Sequence, residues 1–413
     1  MKRLKIDHAK KTSAGYILSG YVTVAANILL SIILMKKLDV SAFGMTSIGR
    51  TIFQSFEFSH LGVRYGLDRL LPGTTDQQSR LRLFWAGFTS TFVFSMLFVI
   101  FWGALYIRSI NFYIFFIVSG LIYAVVQIYR VYYRSLQDKK QFLLVSVSSM
   151  LVPALVQIVS FLAGGLWVMI IAMLTTYLVV FGYTSRRYKI AFPEKKQGTA
   201  GTEVKSLLSF GFILFITALL SFIVSSGDRI FMEKYWGVDA VGEYSIIMFV
   251  FSTLSIFPGN YTELIMSEII KRKSLSYVAK HCLILAGLTL LFCLLTIVVV
   301  PFAFSWFLPQ YLYLVPHMDI VVWAAVPFSV TSVLNYYLHA IDKRKFILIS
   351  NFCGTVIYLI VYFIILKRHL SIDYVLACKI LYFVLIAGLL IAFSLVQSHR
   401  VKKSQNTLTS PDN

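Results

Sequence analysis

The stretch GRTIFQSFEFSHLGVRYGLDR, residues 49–69, sets Arg50, Gln54, Glu57, His60 and Arg64 among apolar neighbours. At about 100° per residue on a continuous helix, Arg50, Gln54, Glu57, Leu61 and Arg64 share roughly 100° of arc, with His60 at its edge and Ile52, Phe56 and Val63 pointing away. Two guanidiniums, a carboxylate and an imidazole on one wall can bind an anion, move a proton, or neutralise one another. Arg suits phosphate because its forked donors match the oxygens. His titrates near physiological pH when unperturbed, which admits proton coupling as well as a structural hydrogen bond. Glu57 lies seven residues from each arginine, so it reads either as a coupling carboxylate or as the partner of an internal salt bridge.

Three further groups carry charge where apolar residues surround them. Gln127, Arg130 and Arg134 share one face of VQIYRVYYRSLQ, with Tyr129, Tyr132 and Tyr133 between them; the face reads as a basic mouth for an anionic headgroup or as interfacial anchoring. Lys379 sits about two turns inside an apolar segment, where it lines a binding site or snorkels outward along its stem. Asp228 and Arg229, in SFIVSSGDRIFMEKYWG, and Glu243 beside Gly242 form a candidate gating or coupling set, or simply end one helix and start the next.

The elements that hold these residues follow from composition. Of 413 residues, 58% are hydrophobic and 14% charged, against about 25% charged in ordinary soluble domains, and the mean hydropathy is +0.78. A bilayer-spanning helix needs about 20 mostly apolar residues. Twelve such segments are expected, near 14–35, 43–63, 83–107, 111–129, 142–164 and 166–184, then 206–227, 240–262, 281–307, 318–341, 346–366 and 372–396. The first is preceded by a basic leader but is too long for a signal peptide, so it is expected to be retained. A charge at the bilayer centre costs about 2.5 to 3.5 kcal/mol on insertion scales, so the charges above are expected to face a protein interior or a wet cavity.

The net charge of +20 raises the question of nucleic acid, and the distribution of basic residues decides against it. With the amino terminus placed in the cytoplasm, twenty-nine Lys and Arg fall on inside segments, seven on outside joints, and Arg50 and Lys379 within spans. This bias is the orientation signal of a multi-pass membrane protein with both termini cytoplasmic. Cys282, Cys293, Cys353 and Cys378 all fall within expected spans as small hydrophobes, and no CxxC pair suggests a metal. The sequence has no P-loop, no HExxH and no GxSxG. Its outside joints are too short for the platform of a membrane glycosyltransferase, so a non-enzymatic function is expected.

The longest polar joint, 185–205, divides the chain into an amino-terminal bundle (1–184), a cytoplasmic linker, a carboxy-terminal bundle (206–396) and a cytoplasmic tail (397–413). LMKKLDVSAFGMTSI (34–48) resembles FMEKYWGVDAVGEYSI (231–246) with one extra residue in the second copy. Both place Gly, Gly44 and Gly242, at the start of the next span. Parallel repeats of this kind are a transporter architecture with the substrate site between the halves.

LDVSAFGMTSIGR (38–50), LGVRYGLDRLLP (61–72) and SFGFILFITALLSFIVSSGDRIFMEKYWGVDAVGEYSI (209–246) resemble the Wzx-type polysaccharide repeat-unit flippases of the multidrug/oligosaccharidyl-lipid/polysaccharide (MOP) exporter superfamily. The Asp-Arg step followed by Gly and Tyr, here Asp228, Arg229, Gly242 and Tyr244, is typical of that family's second half. The resemblance implies an all-α, MATE-like membrane protein of twelve transmembrane helices in two six-helix bundles around a central cationic cavity. It implies translocation of an undecaprenyl-pyrophosphate-linked oligosaccharide across the bacterial inner membrane for O-antigen or another surface polysaccharide. It further implies alternating access coupled to an H+ or Na+ gradient without a bound cofactor, and association with a polysaccharide polymerase and chain-length regulator. On it, Arg50 and Arg64 are candidates for the pyrophosphate or an acidic sugar, and Glu57 for their counter-charge or a coupling group. A cation-coupled drug exporter of the same superfamily is the alternative; the first span, with Asn27 and no acid, matches it less well. The first half has Ser31 and Ile32 where the second has Asp228 and Arg229.

Overall fold

A computed structural model gives the backbone of residues 2–188, 190–192 and 200–408, and side chains over 20–188, 190–192, 201–266 and 268–397. Of the expected linker, residues 189 and 193–199 therefore lie outside the described residues, as do 409–413 of the tail. Among the described residues every regular element is helical, as a chain in hydrocarbon requires if each backbone N–H is to be paired within its own segment.

The helices run α1 (Lys2–Lys37), α2 (Val40–Ser55), α3 (Val63–Leu70), α4 (Gln77–Leu105), α5 (Ile110–Ser135), α6 (Lys139–Ser146) and α7 (Val152–Arg187). They continue with α8 (Ala200–Phe222), α9 (Asp228–Trp236), α10 (Val238–Arg272), α11 (Leu275–Phe307), α12 (Val315–Val321), α13 (Ala325–Ala340), α14 (Arg344–Lys367) and α15 (Ile372–Leu408). Among the described residues ten stretches are long and apolar enough to cross a membrane. Two local breaks connect these ten to the twelve expected spans.

The stretch Lys139–Arg187 is 49 residues long, far beyond the roughly 30 Å core that about 20 helical residues span. Gly165 interrupts it with φ 76° and ψ −162°, a conformation that a residue without Cβ adopts readily. The break falls between the expected fifth and sixth spans. The second break lies in the opening motif. Helix α2 stops at Ser55, a 3-10 turn covers Phe56–Phe58, and Leu61 and Gly62 take positive φ before α3 begins. The continuous helix expected over 43–63 is thus replaced by a helix, a turn and a second short helix. The wheel that placed Glu57, His60 and Arg64 on Arg50's face does not extend past Ser55.

The chain forms two compact units: Met1–Leu38 with Thr46–Leu219, and Asp39–Met45 with Leu220–Asn413. The boundary thus falls within the expected seventh span. In the first unit a Cβ placed on Gly66 would lie 2.2 Å from the carbonyl oxygen of Leu207, and one on Gly211 would lie 1.9 Å from that of Gly62. The start of α8 therefore touches the turn before α3 backbone to backbone, the approach that glycines permit. In the second unit a Cβ on Gly44 would lie 2.2 Å from the Val238 oxygen, and one on Gly242 would lie 2.2 Å from the Val40 oxygen. The two copies of the repeated motif thus pack on each other reciprocally, and this carries residues 39–45 into the second unit.

Large side chains fill both interiors: Phe56, Phe84, Tyr113 and Phe116 in the first, Tyr244, Tyr311, Tyr358 and Tyr362 in the second. Val159, Leu283 and Trp306 are exposed, as a lipid-facing surface allows.

Candidate functional site

The first unit gathers the charges of the opening motif. Arg50, on α2, is half-buried and donates from Nη1 to Ser31 Oγ on α1 at 3.3 Å. Ser31 in turn donates to the Asn27 carbonyl at 2.9 Å. No carboxylate pairs with Arg50 among the described residues. Beyond the turn, Arg64 Nη1 and Glu57 Oε1 form an ion pair at 3.0 Å, with Tyr123 of α5 beside them. Glu57 keeps 40% of its side chain exposed while Arg64 keeps 13%, so the carboxylate is the solvent-facing member. Arg64 Nε is buried and has no hydrogen-bond partner among the described residues.

His60 is not on this wall. The positive φ of Leu61 and Gly62 turns it inward, where it is 2% exposed and its Nδ1 accepts the Gly62 N–H at 2.9 Å. Its ring packs edge-on to Tyr65 at 5.2 Å. This is the hydrogen-bonded arrangement of a structural histidine that shapes the turn. Gln54 is exposed and joins neither arginine in a hydrogen bond that the structure records.

The basic face of α5 divides. Arg130 donates to Ser146 Oγ at 3.1 Å and to Gln127 Oε1 at 3.2 Å, and lies 5.6 Å from the Phe142 ring centre. Arg134 is bound by Asp68 of α3 through two donors. Arg134 is thus neutralised, whereas Arg130 has no carboxylate within ion-pair distance among the described residues.

The second unit holds a different kind of site. Lys379 of α15 is fully buried and donates to Asp228 Oδ2 at 2.7 Å. Tyr244 of α10 and Tyr358 of α14 donate to the same oxygen at 2.5 and 3.1 Å, and Tyr362 donates to the Asp228 main-chain carbonyl at 2.8 Å. For Lys379 and for Asp228 one of the two sequence alternatives is excluded here. Lys379 does not snorkel outward, because Asp228 supplies a buried counter-charge within reach of its stem. Asp228 does not end a helix, because the chain continues through a π-helical turn (Ile223–Gly227) into α9. Lys379 therefore stands with the Asp228 group rather than with Arg50 and Arg64 of the first unit. Arg229 donates to Ser245 Oγ at 3.0 Å, and Glu243 accepts the Tyr313 hydroxyl at 2.9 Å.

Sequence reasoning missed Ser31 and Tyr123 in the first unit, and Tyr358 and Tyr362 in the second as partners of Asp228. The tyrosines carried a signal: at i and i+4 they share one face of α14, in a largely apolar segment.

Residues 33–255, over half of the chain, match the model of a family described as polysaccharide biosynthesis protein. No curated protein sequence matches. Among solved structures, the chain is similar to the eukaryotic MATE transporter AtDTX14, with a TM-score of 0.65 at 12% identity, covering 95% of this chain and 96% of that one. It is similar to an inward-facing multidrug resistance MATE family transporter of the MOP superfamily, with a TM-score of 0.62 at 13% identity, covering 92% and 96%. A MOP superfamily transporter from Pyrococcus furiosus aligns with a TM-score of 0.54 at 11% identity, covering 95% and 96%. At these identities the likeness establishes the twelve-helix fold.

Proposed function

The chain belongs to the polysaccharide biosynthesis protein family, and from that premise we propose that it is a flippase for undecaprenyl-pyrophosphate-linked oligosaccharide repeat units. It acts in the bacterial inner membrane, with both termini cytoplasmic, in the assembly of O-antigen or another surface polysaccharide. The observation that carries this reading is Arg50, a guanidinium within the apolar part of the chain whose recorded partner is a serine hydroxyl at 3.3 Å. A fixed cation kept at such a depth without an acid is stabilised by an anionic ligand, and a pyrophosphate fits its forked donors.

Arg64 contributes its free Nε, and Glu57, already held at 3.0 Å, keeps that second cation neutral until the anion displaces it. Arg130 offers a third cation. The same residues need make or break no covalent bond: they replace the headgroup's hydration while the glycan is moved. Alternating access driven by an H+ or Na+ gradient supplies the work, and the flipped unit passes to a polymerase and its chain-length regulator.

The test is glycan export in cells carrying Arg50→Ala and Arg64→Ala, with membrane insertion checked in parallel. Each variant is expected to lose surface polysaccharide and accumulate the lipid-linked intermediate on the cytoplasmic side. Undiminished export in the double variant overturns the cation-lined site. Altered susceptibility to cationic drugs with normal surface glycan in a deletion strain favours the cation-coupled exporter instead.

A further inference from the structure

The anion-binding arginines leave unused the most deeply buried charges of the molecule. Asp228 and Lys379 are fully excluded from solvent, and both lie in the second unit. Three donors converge on Asp228 Oδ2, while Oδ1, also buried, has no partner among the described residues. Asp228 directly follows a π-helical turn, a feature that concentrates at functional sites because it leaves a helix locally adjustable.

The cluster also carries one cation too many. Arg229, next in sequence, places its guanidinium 5.8 Å from the centre of the Tyr244 ring. Asp228, Lys379 and Arg229 together give one negative and two positive charges. The other groups facing Lys379 are uncharged when protonated: Tyr244 of α10, Tyr358 and Tyr362 of α14, and its own neighbour Cys378. Arg cannot give up its proton in a protein, whereas a buried Lys can. When the Lys379 Nζ–H bond breaks and the proton leaves to water, the electron pair stays on nitrogen, and Arg229, beside the Tyr244 ring, is the positive charge left near Asp228. The amine keeps two N–H donors, for Asp228 Oδ2 at 2.7 Å and the Tyr244 oxygen at 2.5 Å, while the Tyr244 O–H stays on Asp228 Oδ2.

We infer that Lys379 is an exchangeable proton site, loaded and unloaded once per transport cycle, with Asp228 as its counter-charge and Arg229 as the fixed cation that makes release favourable. The inference rests on the transport reading and names its coupling ion as H+. A tethered ammonium fills the place that a free monovalent cation would take beside Asp228.

The test has two arms. In the first, lysine side-chain 15N NMR of the purified full chain in micelles reads the Nζ protonation without any ligand, and Lys379→Arg assigns the resonance. The 379 signal is expected to pass from ammonium to amine across the physiological pH range and to lose that transition in Asp228→Asn. An ammonium signal unchanged over the range overturns the inference. In the second, proteoliposomes are loaded with a fluorescent polyprenyl pyrophosphate and given either a pH or a sodium gradient. The pH gradient is expected to accelerate translocation about tenfold in the wild type and not in Lys379→Arg. Acceleration by sodium alone, or by the pH gradient in Lys379→Arg, overturns the inference. A wild-type chain that moves no probe under either gradient overturns the flippase reading, and the NMR arm still decides the proton site.

Discussion

Ser31 and Asp228 occupy matching positions of the repeated motif, and so do Arg50 and Met248 once the extra residue of the second copy is allowed for. In the first unit Arg50 reaches Ser31. In the second the cation comes from another helix: Lys379 lies 4.0 Å from Met248 Sδ and reaches Asp228. Each half thus brings one cation to the same corner of its repeat, but one meets a hydroxyl and the other a carboxylate. A hydroxyl leaves the positive charge without a counter-charge, which is what the proposed anion site requires. A carboxylate satisfies it internally, which is what the proposed proton site requires. Two chemistries follow from a single carboxylate.

The largest effect that separates the two corners is on stability. Lys379→Met leaves Asp228 buried without its strongest partner, which costs about 3 to 5 kcal/mol. Arg50→Met removes a cation that has no acid partner, and its cost is expected below about 1 kcal/mol. Denaturant unfolding of the purified variants in micelles measures both, and equal losses would break the comparison. The double variant Asp228→Asn/Lys379→Met recovers most of the loss, because a buried pair replaced as a unit is close to neutral.

Next in size is the exchange of chemistry itself. Ser31→Asp gives Arg50 the acid that its counterpart has, and is expected to weaken pyrophosphate binding at least tenfold, about 1.4 kcal/mol, while slightly raising stability. Titration with farnesyl pyrophosphate reads the first and unfolding the second. Unchanged affinity would mean that Arg50 does not meet the ligand.

How far the sequence reveals these corners depends on distance along the chain. Span number, the repeat and its motif glycines Gly44 and Gly242 are legible because they rest on local hydropathy and spacing. Gly165 and Gly62 were visible as residues, yet their positive φ (76° and 100°) was not, since a lone glycine inside an apolar run also fits a plain helix. The wheel over 43–63 failed for that reason, and His60 turned from cavity wall to turn support. The Arg64–Glu57 pair was legible as one of two readings because it is seven residues long in sequence. Lys379 and Asp228 are 151 residues apart, and only the tertiary fold joins them, so the sequence leaves Lys379 as a binding-site residue or an outward anchor and Asp228 as a gate or a helix end.

The remaining predictions are smaller and concern neutralised arginines. Glu57→Gln frees Arg64 from its ion pair and is expected to tighten pyrophosphate binding by about 1 kcal/mol, roughly fivefold. Weaker binding in that variant would show that Glu57 positions Arg64 rather than competing with the anion.

Arg134 sharpens the comparison from the other side. Like Lys379 it has an aspartate partner, Asp68, but its side chain is 46% exposed and that of Asp68 is 27% exposed, so water screens what burial intensifies at Asp228. Arg134→Ala is therefore expected to cost no more than about 1 kcal/mol in unfolding, and to lose that effect at high salt. A loss comparable to that of Lys379→Met would mean that the presence of an acid, and not its burial, sets the strength of these pairs. The contrast between the two units would then reduce to charge count alone.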